Sequence, residues 1–297
     1  MGISLGPNQY GKAEVRVAAV DRRSPRHELT DLNVSSALRG DLAAAHLEGD
    51  NAHVVATDTQ KNTVHALARD GIGEIEEFGL RLARHFTGSF EWITGARVEI
   101  EEYGWDRIVV AGAAHDHAFR RAGGEVRTTV VTVDGDDTHV VSGLRGLVVM
   151  KTTESGFAGF PRDAFTTLAE TDDRILATAV TARWRYEPVS TVDHAETFAG
   201  VRDTLLATFA TGYSSALQQT LYAMGHAVLE AYPQVAEIRL SMPNRHHFLV
   251  DLSPFGLDNP DVVYHAADRP YGLIEGSVVR DHVPTADIAW SGTPGFC

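Results

Sequence analysis

Apolar residues in this chain change their spacing from two to three or four and back again, and they do so twice. In the first half, Ala13, Val15, Val17 and Ala19 alternate with Glu14, Arg16 and Ala18, the period of a strand with one buried face. Residues 27–38 read as its partner. Ile75, Phe78, Leu82 and Phe86 follow at spacings of 3, 4 and 4, one face of an α-helix. Strand character returns over 97–103 and 106–110. In the second half, 125–133 and 138–150 are β-rich, and Arg183-Trp184-Arg185-Tyr186 alternates. Leu217, Leu221, Met224 and Val228 are spaced 4, 3 and 4, a second amphipathic helix. Tyr232-Pro233 separates it from a strand in which Ile238, Leu240 and Met242 alternate with Glu237, Arg239 and Ser241. Gly123-Gly124 reads as a hairpin turn.

A chain of this pattern folds as α+β, with antiparallel sheets carrying helices on one face. Two units are expected, 1–136 and 137–297, related by self-similarity at a long period. Open antiparallel sheets leave edges that need partners, which favours an oligomer. Apolar residues make up 43% of the 297, enough for a core of that size.

Other features exclude function classes. No apolar stretch approaches the ~18 residues that span a bilayer. Residues 1–9 lack the basic start and apolar run of a secretion signal, so cytoplasm is the expected location. The one cysteine, Cys297, permits no intrachain disulfide and no thiolate metal site, and reads as a terminal thiol without function. A net charge of −14 repels nucleic acid and anionic membranes. An anionic substrate would therefore need local, placed positive charge.

Chemistry-bearing motifs are few. His115-Asp116-His117 places two histidines on one strand face, but two ligands do not complete a metal site. No glycine-rich nucleotide loop and no nucleophile elbow occurs. Thr57-Asp58-Thr59-Gln60 and Ser215-Ala216-Leu217-Gln218 have the form of capping boxes. A helix start also offers free N–H groups to an anion, so Leu217 N–H and Gln218 are candidates for contacting one. Arg174 is either a helix-surface arginine beside Asp173 or a planar fork for an oxyanion. Phe157 is a core aromatic or a stacking plate. Lys12 is an exposed strand lysine or, beside a threonine hydroxyl, part of a proton relay.

Longer segments bear on these alternatives. Residues 50–62, Asn8-Gln9-Tyr10-Gly11-Lys12, the run from Lys151-Thr152-Thr153 through Phe157, Phe160-Pro161-Arg162-Asp163 and Asp173-Arg174, and Ser241-Met242-Pro243-Asn244-Arg245-His246-His247-Phe248 resemble, in order, the signatures of the urate oxidase family. The resemblance covers nearly the whole chain. It implies the tunnelling fold, two tandem units per chain that assemble with other chains into a barrel, and a homotetramer with active sites at subunit interfaces. It implies oxidation of urate by dioxygen to 5-hydroxyisourate and hydrogen peroxide in purine degradation, with no cofactor and no metal. Residue by residue, Lys12, Thr57 and His246 match the catalytic group. Arg174 and Gln218 match the residues that grip urate, Leu217 the backbone N–H contact, and Phe157 the stacking ring. Asn244 matches the residue beside the dioxygen site, and Asp58 a residue next to the catalytic threonine supplied by a neighbouring subunit. Leu217 stands where valine is frequent, and Arg245 where lysine is common. The chain ends Gly295-Phe296-Cys297 rather than in a peroxisomal address, which fits a bacterial cytoplasm. Two rivals are a pterin- or purine-converting relative that anchors its heterocycle with glutamate and zinc, and a purine-binding protein without turnover. The Arg174/Gln218 pair and the missing thiolates oppose the first, and the presence of Lys12 and Thr57 opposes the second.

Overall fold

The computed structural model of the chain describes residues 2–189 and 192–292; Cys297 and its neighbours at the end lie outside them. Two compact units emerge. The first comprises 1–143, 185–195 and 284–291, the second 144–184, 196–283 and 292–297.

In the first unit, β1 (Tyr10–Asp21), β2 (Glu28–Gly40), β3 (Ile93–Val110), β4 (Ala113–Asp134) and the opening of β5 (Asp137–Lys151) lie side by side in sequence order. The pairings β1–β2, β2–β3 and β3–β4 are antiparallel. Three helices intervene: α1 (Ala43–Leu47), α2 (Thr57–Arg69) and α3 (Ile75–Ser89). Helix α3 packs on β3 and β4, and α2 on β1. Ile75, Phe78, Leu82 and Phe86 are all buried, as their spacing requires. The small residue between them matters: a Cβ on Gly79 would come within 2.7 Å of Val131 Cγ2, so glycine lets the helix settle onto the sheet. The adjacent Val130 points the other way along the strand. It packs with Val141 of β5 and with Ala289 and Trp290 of a short helix, α6 (Asp287–Trp290), which covers part of the opposite face.

The second unit carries the end of β5, then β6 (Leu176–Tyr186), β7 (Val235–Pro243) and β10 (Leu273–Val279), in that order across the sheet. Helices α4 (His194–Thr211) and α5 (Leu217–Ala231) lie between β6 and β7 in sequence, and a small hairpin, β8 (His247–Leu249) with β9 (Tyr264–Ala266), precedes β10. Helix α5 packs on β7 and β10 through Leu221, Met224 and Val228. Here too a glycine sits at the contact: a Cβ on Gly225 would meet Val278 Cγ2 at 2.6 Å.

Several expectations are corrected. Gly123-Gly124 is not a turn but lies inside β4. Tyr103 pairs with Val126 and Trp105 with Arg121, so the glycines sit in a bulge that absorbs surplus residues on β4. Ala13 is exposed, off its expected face, because a bulge between Lys12 and Val15 resets the alternation, with Glu14 at φ 57°. Arg185 is buried between Trp184 and Tyr186, its guanidinium held by the Pro284 carbonyl (3.0 Å) and Glu187. Glu237 is also buried, paired with Arg239 (2.7 Å). Neither capping box forms: the N-caps are Ala56 and Ala216, without side-chain capping bonds. No described helix is long and apolar enough to cross a membrane.

Candidate active site

The first unit places Lys12, Thr57 and Asp58. Lys12 is in β1, immediately before the bulge and opposite Ser36 of β2. Bulges commonly re-aim a side chain beside a functional site. Thr57 is the first helical residue of α2 and is exposed. As the residue after the N-cap it has an unbonded backbone N–H and stands at the positive end of the helix dipole. Asp58 is exposed and follows it. Its carboxylate accepts from Lys61 Nζ (2.5 Å) and Asn62 Nδ2 (2.9 Å). Lys61 above all, then Asn62, holds its pKa below the usual carboxylate range, and the charge of Lys12 adds to this.

In the second unit, two hydrogen bonds between Phe157 and Thr171 (2.7 and 3.1 Å) close a loop back on itself. Its far limb leads to Arg174, whose guanidinium lies over the Phe157 ring, 5.3 Å from the centroid. Phe157 in turn stacks on Phe160 at 5.0 Å. Arg174 is not on a helix, and its acidic neighbour is engaged elsewhere: Asp173 accepts from the Thr153 hydroxyl at 3.0 Å. The Arg174 Nε is buried with no hydrogen-bond partner among the described residues. Burial alone pulls its pKa down from the ordinary arginine value. An unpaired guanidinium half withdrawn from water is costly unless an anion joins it.

The same loop is sewn to the start of α5. Gly156 N–H donates to the Ser214 carbonyl (2.8 Å), Ser214 N–H to Glu154 (3.0 Å), and the Tyr213 hydroxyl to the Asp172 carbonyl (2.8 Å). A Cβ on Gly156 would strike Tyr213 Oη at 2.5 Å, so glycine is required for this closure. Leu217 opens the helix with its side chain buried, leaving its backbone N–H as what it offers. The reach-back bond of the missing capping box is made one residue later, by Gln219 Oε1 to Ser215 N–H (2.9 Å). Gln218 is left out of this bond and is exposed.

Asn244 and His246 follow β7. Asn244 N–H donates to the Gly272 carbonyl and Arg245 N–H to the Ala177 carbonyl, both at 2.8 Å, with Asn244 bridged to Thr178. This fastens the segment to the beginning of β6, two residues past Arg174. His246 stacks on Phe248 (5.7 Å). Burial, then the charges of Arg174 and His247, hold its pKa below 6.5, so near neutrality it is an uncharged imidazole able to accept a proton. Arg174, Phe157 and His246 are thus gathered at one place, with Asn244 and the α5 start tied to it by backbone bonds. Lys12, Thr57 and Asp58 belong to the other unit.

His115 and His117 do share a face, with ring centroids 4.5 Å apart. Among the described residues no group of three or more His, Cys, Asp or Glu is arranged to hold a metal ion. The residues that the sequence does not single out are those that do the tying: Gly156 and Tyr213 at the loop, Tyr10, which accepts from Val55 N–H, and Ser36, which donates to Gln60. Gln60 has the place of a capping-box residue in the sequence, but its side chain bonds Val55 and Ser36 instead. No pattern in one sequence distinguishes them from ordinary loop and strand residues.

Comparison with known proteins gives the arrangement its lineage. The family model described as Uricase matches residues 8–132 and 140–275. A uricase of Arthrobacter globiformis is 57% identical over 99% of this chain and 96% of its own length, and one of Dictyostelium discoideum is 40% identical over 94% and 98%. The crystal structure of the Arthrobacter globiformis uricase superposes with a TM-score of 0.94 at 57% identity, covering 98% of this chain and all of that one. A uricase from Bacillus fastidious superposes at 0.78 with 27% identity, over 93% and 94%. The chain belongs to the uricase family, enzymes that oxidise urate.

Proposed function

We propose that this chain is a cofactor-independent urate oxidase that converts urate, O2 and water to 5-hydroxyisourate and hydrogen peroxide. The observation that carries the reading is Arg174: a half-buried guanidinium over the Phe157 ring with an unpaired, buried Nε, in a chain of net charge −14. A planar, anionic heterocycle answers both features. It would stack on Phe157 and take the arginine fork through its oxygen and ring nitrogen.

Urate supplies two electrons to O2, which takes two protons to leave as peroxide, and water adds the hydroxyl at C5. The dianion of urate is electron-rich enough to reduce O2 itself, so the protein's tasks are to bind, deprotonate and orient. Arg174 and Gln218 fix the ring edges, Leu217 N–H adds a contact, and Phe157 covers a face. Lys12, Thr57 and His246 remove and return protons through a water. Asn244 positions O2 and then the attacking water, and Asp58 flanks Thr57.

The assembly follows the same reading. The chain forms two tandem tunnelling-fold units, 1–136 and 137–297, that join with other chains into a barrel and a homotetramer. Thr57 of one subunit then serves Arg174 of another. Two observations support tandem units. The short α1 and the β8–β9 hairpin segment aside, the element order β1-β2-α2-α3-β3-β4 repeats as β5-β6-α4-α5-β7-β10, and the family match breaks between 132 and 140.

The decisive experiment follows the loss of urate's ultraviolet absorbance and the release of peroxide by metal-free enzyme in the presence of chelator, with catalase controls. Turnover is expected to be undiminished. Idle chelated protein that added metal restores would overturn the mechanism.

A further inference from the structure

We propose that Gln60, with Ser36 and Tyr10, is a positioning residue for proton transfer, whose buried hydrogen bonds set the spacing between Lys12 and Thr57. The inference rests on the reading of those two residues as a proton-relay pair.

Lys12 is on a strand and Thr57 begins a helix, so a relay between them needs the two elements held to a fixed separation. A chain of hydrogen bonds, closed by strand pairing, does this. Tyr10 Oη accepts from Val55 N–H at 2.7 Å, joining β1 to the residue two before Thr57. Gln60, one turn into α2, donates from Nε2 to the Val55 carbonyl at 3.2 Å. Its Oε1 accepts from the Ser36 hydroxyl at 2.8 Å. Ser36 is the cross-strand partner of Lys12, which returns the circuit to β1. Gln60 is completely buried, and Ser36 and Val55 nearly so.

Two further features fit positioning better than general packing. Gly11, between Tyr10 and Lys12, lies so close to Ser36 that a Cβ there would be 1.7 Å from its carbonyl oxygen. The strand therefore reaches Ser36 only through a glycine. Past Lys12 the bulge begins, and Glu14 N–H donates to the Ser35 hydroxyl at 3.0 Å. Lys12 is clamped on both sides along the strand. A polar amide is also an expensive filler for a buried helix contact, since methionine or leucine would occupy the space without a desolvation cost.

The test measures kcat, KM, the pH–rate profile and thermal midpoint for Gln60→Met, alone and with Thr57→Ala. Misplacing a relay by a fraction of an ångström to about 1 Å costs about ten- to a hundred-fold. We expect a kcat loss in that range for Gln60→Met, a KM within about twofold, and a displaced pH profile. In the Thr57→Ala background the same substitution should cost almost nothing more. Unchanged kcat with a lowered midpoint, or a loss of equal size in both backgrounds, would make Gln60 a packing residue and overturn the proposal. If Thr57→Ala itself leaves kcat intact, the relay reading fails first, an outcome distinct from failure of the clamp alone. Tyr10→Phe keeps the ring and removes only the acceptor for Val55 N–H. It should show a smaller loss of the same kind, and decides the matter if Gln60→Met does not fold.

Discussion

The first unit presents its candidate residues from regular elements, and the second presents most of its own from loops, with Leu217 and Gln218 at the start of a helix. Lys12 sits in β1, and Thr57 and Asp58 in the first turn of α2. Phe157, Arg174, Asn244 and His246 lie outside every named helix and strand, on loops sewn together by backbone hydrogen bonds. His246 apart, a loop-borne member of the proposed relay, the chemistry expected of each group matches this difference. Proton transfer tolerates little error in distance, and rigid elements hold distance best. Gripping a planar anion needs groups converging from several directions in a plane, which loops supply more readily than one strand or helix face. The two units are otherwise built alike. Ile75, Phe78, Gly79, Leu82 and Ala83 of α3 are buried in the same order and spacing as Leu221, Met224, Gly225, Val228 and Leu229 of α5. In each, the glycine meets a valine of the sheet.

The sharpest way to break the comparison is to remove the proton-handling groups. Thr57→Ala and Lys12→Met are each expected to lower kcat by about 10² to 10⁴, the range of general acid–base contributions, while urate still binds. Equal losses in kcat and in the affinity for a non-reacting purine analogue would erase the distinction between the units. Next in size is the grip. Arg174→Lys keeps a charge but loses the planar fork. Charged hydrogen bonds contribute about 1.5–3 kcal/mol, so analogue affinity should fall by about ten- to a hundred-fold, with kcat at saturating urate much less affected. A purely catalytic defect in Arg174→Lys would reverse the assignment.

What the sequence made legible follows from where its signals are periodic. Helices α3 and α5 were plain because their buried residues are apolar and fall on one face. Helix α4 went unread, although His194, Thr197, Val201, Leu205 and Phe209 are buried at helical spacing, because its first buried turn is polar. The bulges at Lys12 and at Gly123-Gly124 break a period of two, and a broken period reads as a turn or as noise. Residue by residue, the site stayed ambiguous. Arg174 beside Asp173 looks like a surface pair, and only the fold shows that Thr153 has claimed the carboxylate. The family signatures single out these residues only as candidates; the hydrogen bonds that hold them are invisible in the sequence, because Tyr10–Val55 and Tyr213–Asp172 join residues 45 and 41 positions apart.

A subtler expectation concerns pH. Burial and the Arg174 charge keep His246 below its ordinary pKa, so it is neutral at pH 7 and becomes protonated only as pH falls through that lowered value. Activity that needs a neutral His246 should therefore persist on mild acidification and fail at lower pH. Removing the charge with Arg174→Met should move the His246 titration upward, read from its imidazole signals by NMR, and bring the acid limb of the rate profile with it. A titration that does not respond would separate the two residues and divide the loop-borne half of the site.

The smallest effect tests how the start of α5 is partitioned. Gln219 holds Ser215 N–H at 2.9 Å, whereas Gln218 next to it is exposed. The first is doing structural work of the kind a capping residue does, worth about 1 kcal/mol. The second is left to meet a ligand. Gln219→Ala is expected to lower the thermal midpoint by a few degrees and to leave saturating turnover nearly unchanged. Gln218→Ala should leave the midpoint alone and weaken analogue binding by about 1 kcal/mol, or roughly fivefold. Adjacent residues of one type on one helical turn would then divide stability from recognition. If the two variants behave alike, the start of α5 has no such division and acts as a single structural unit.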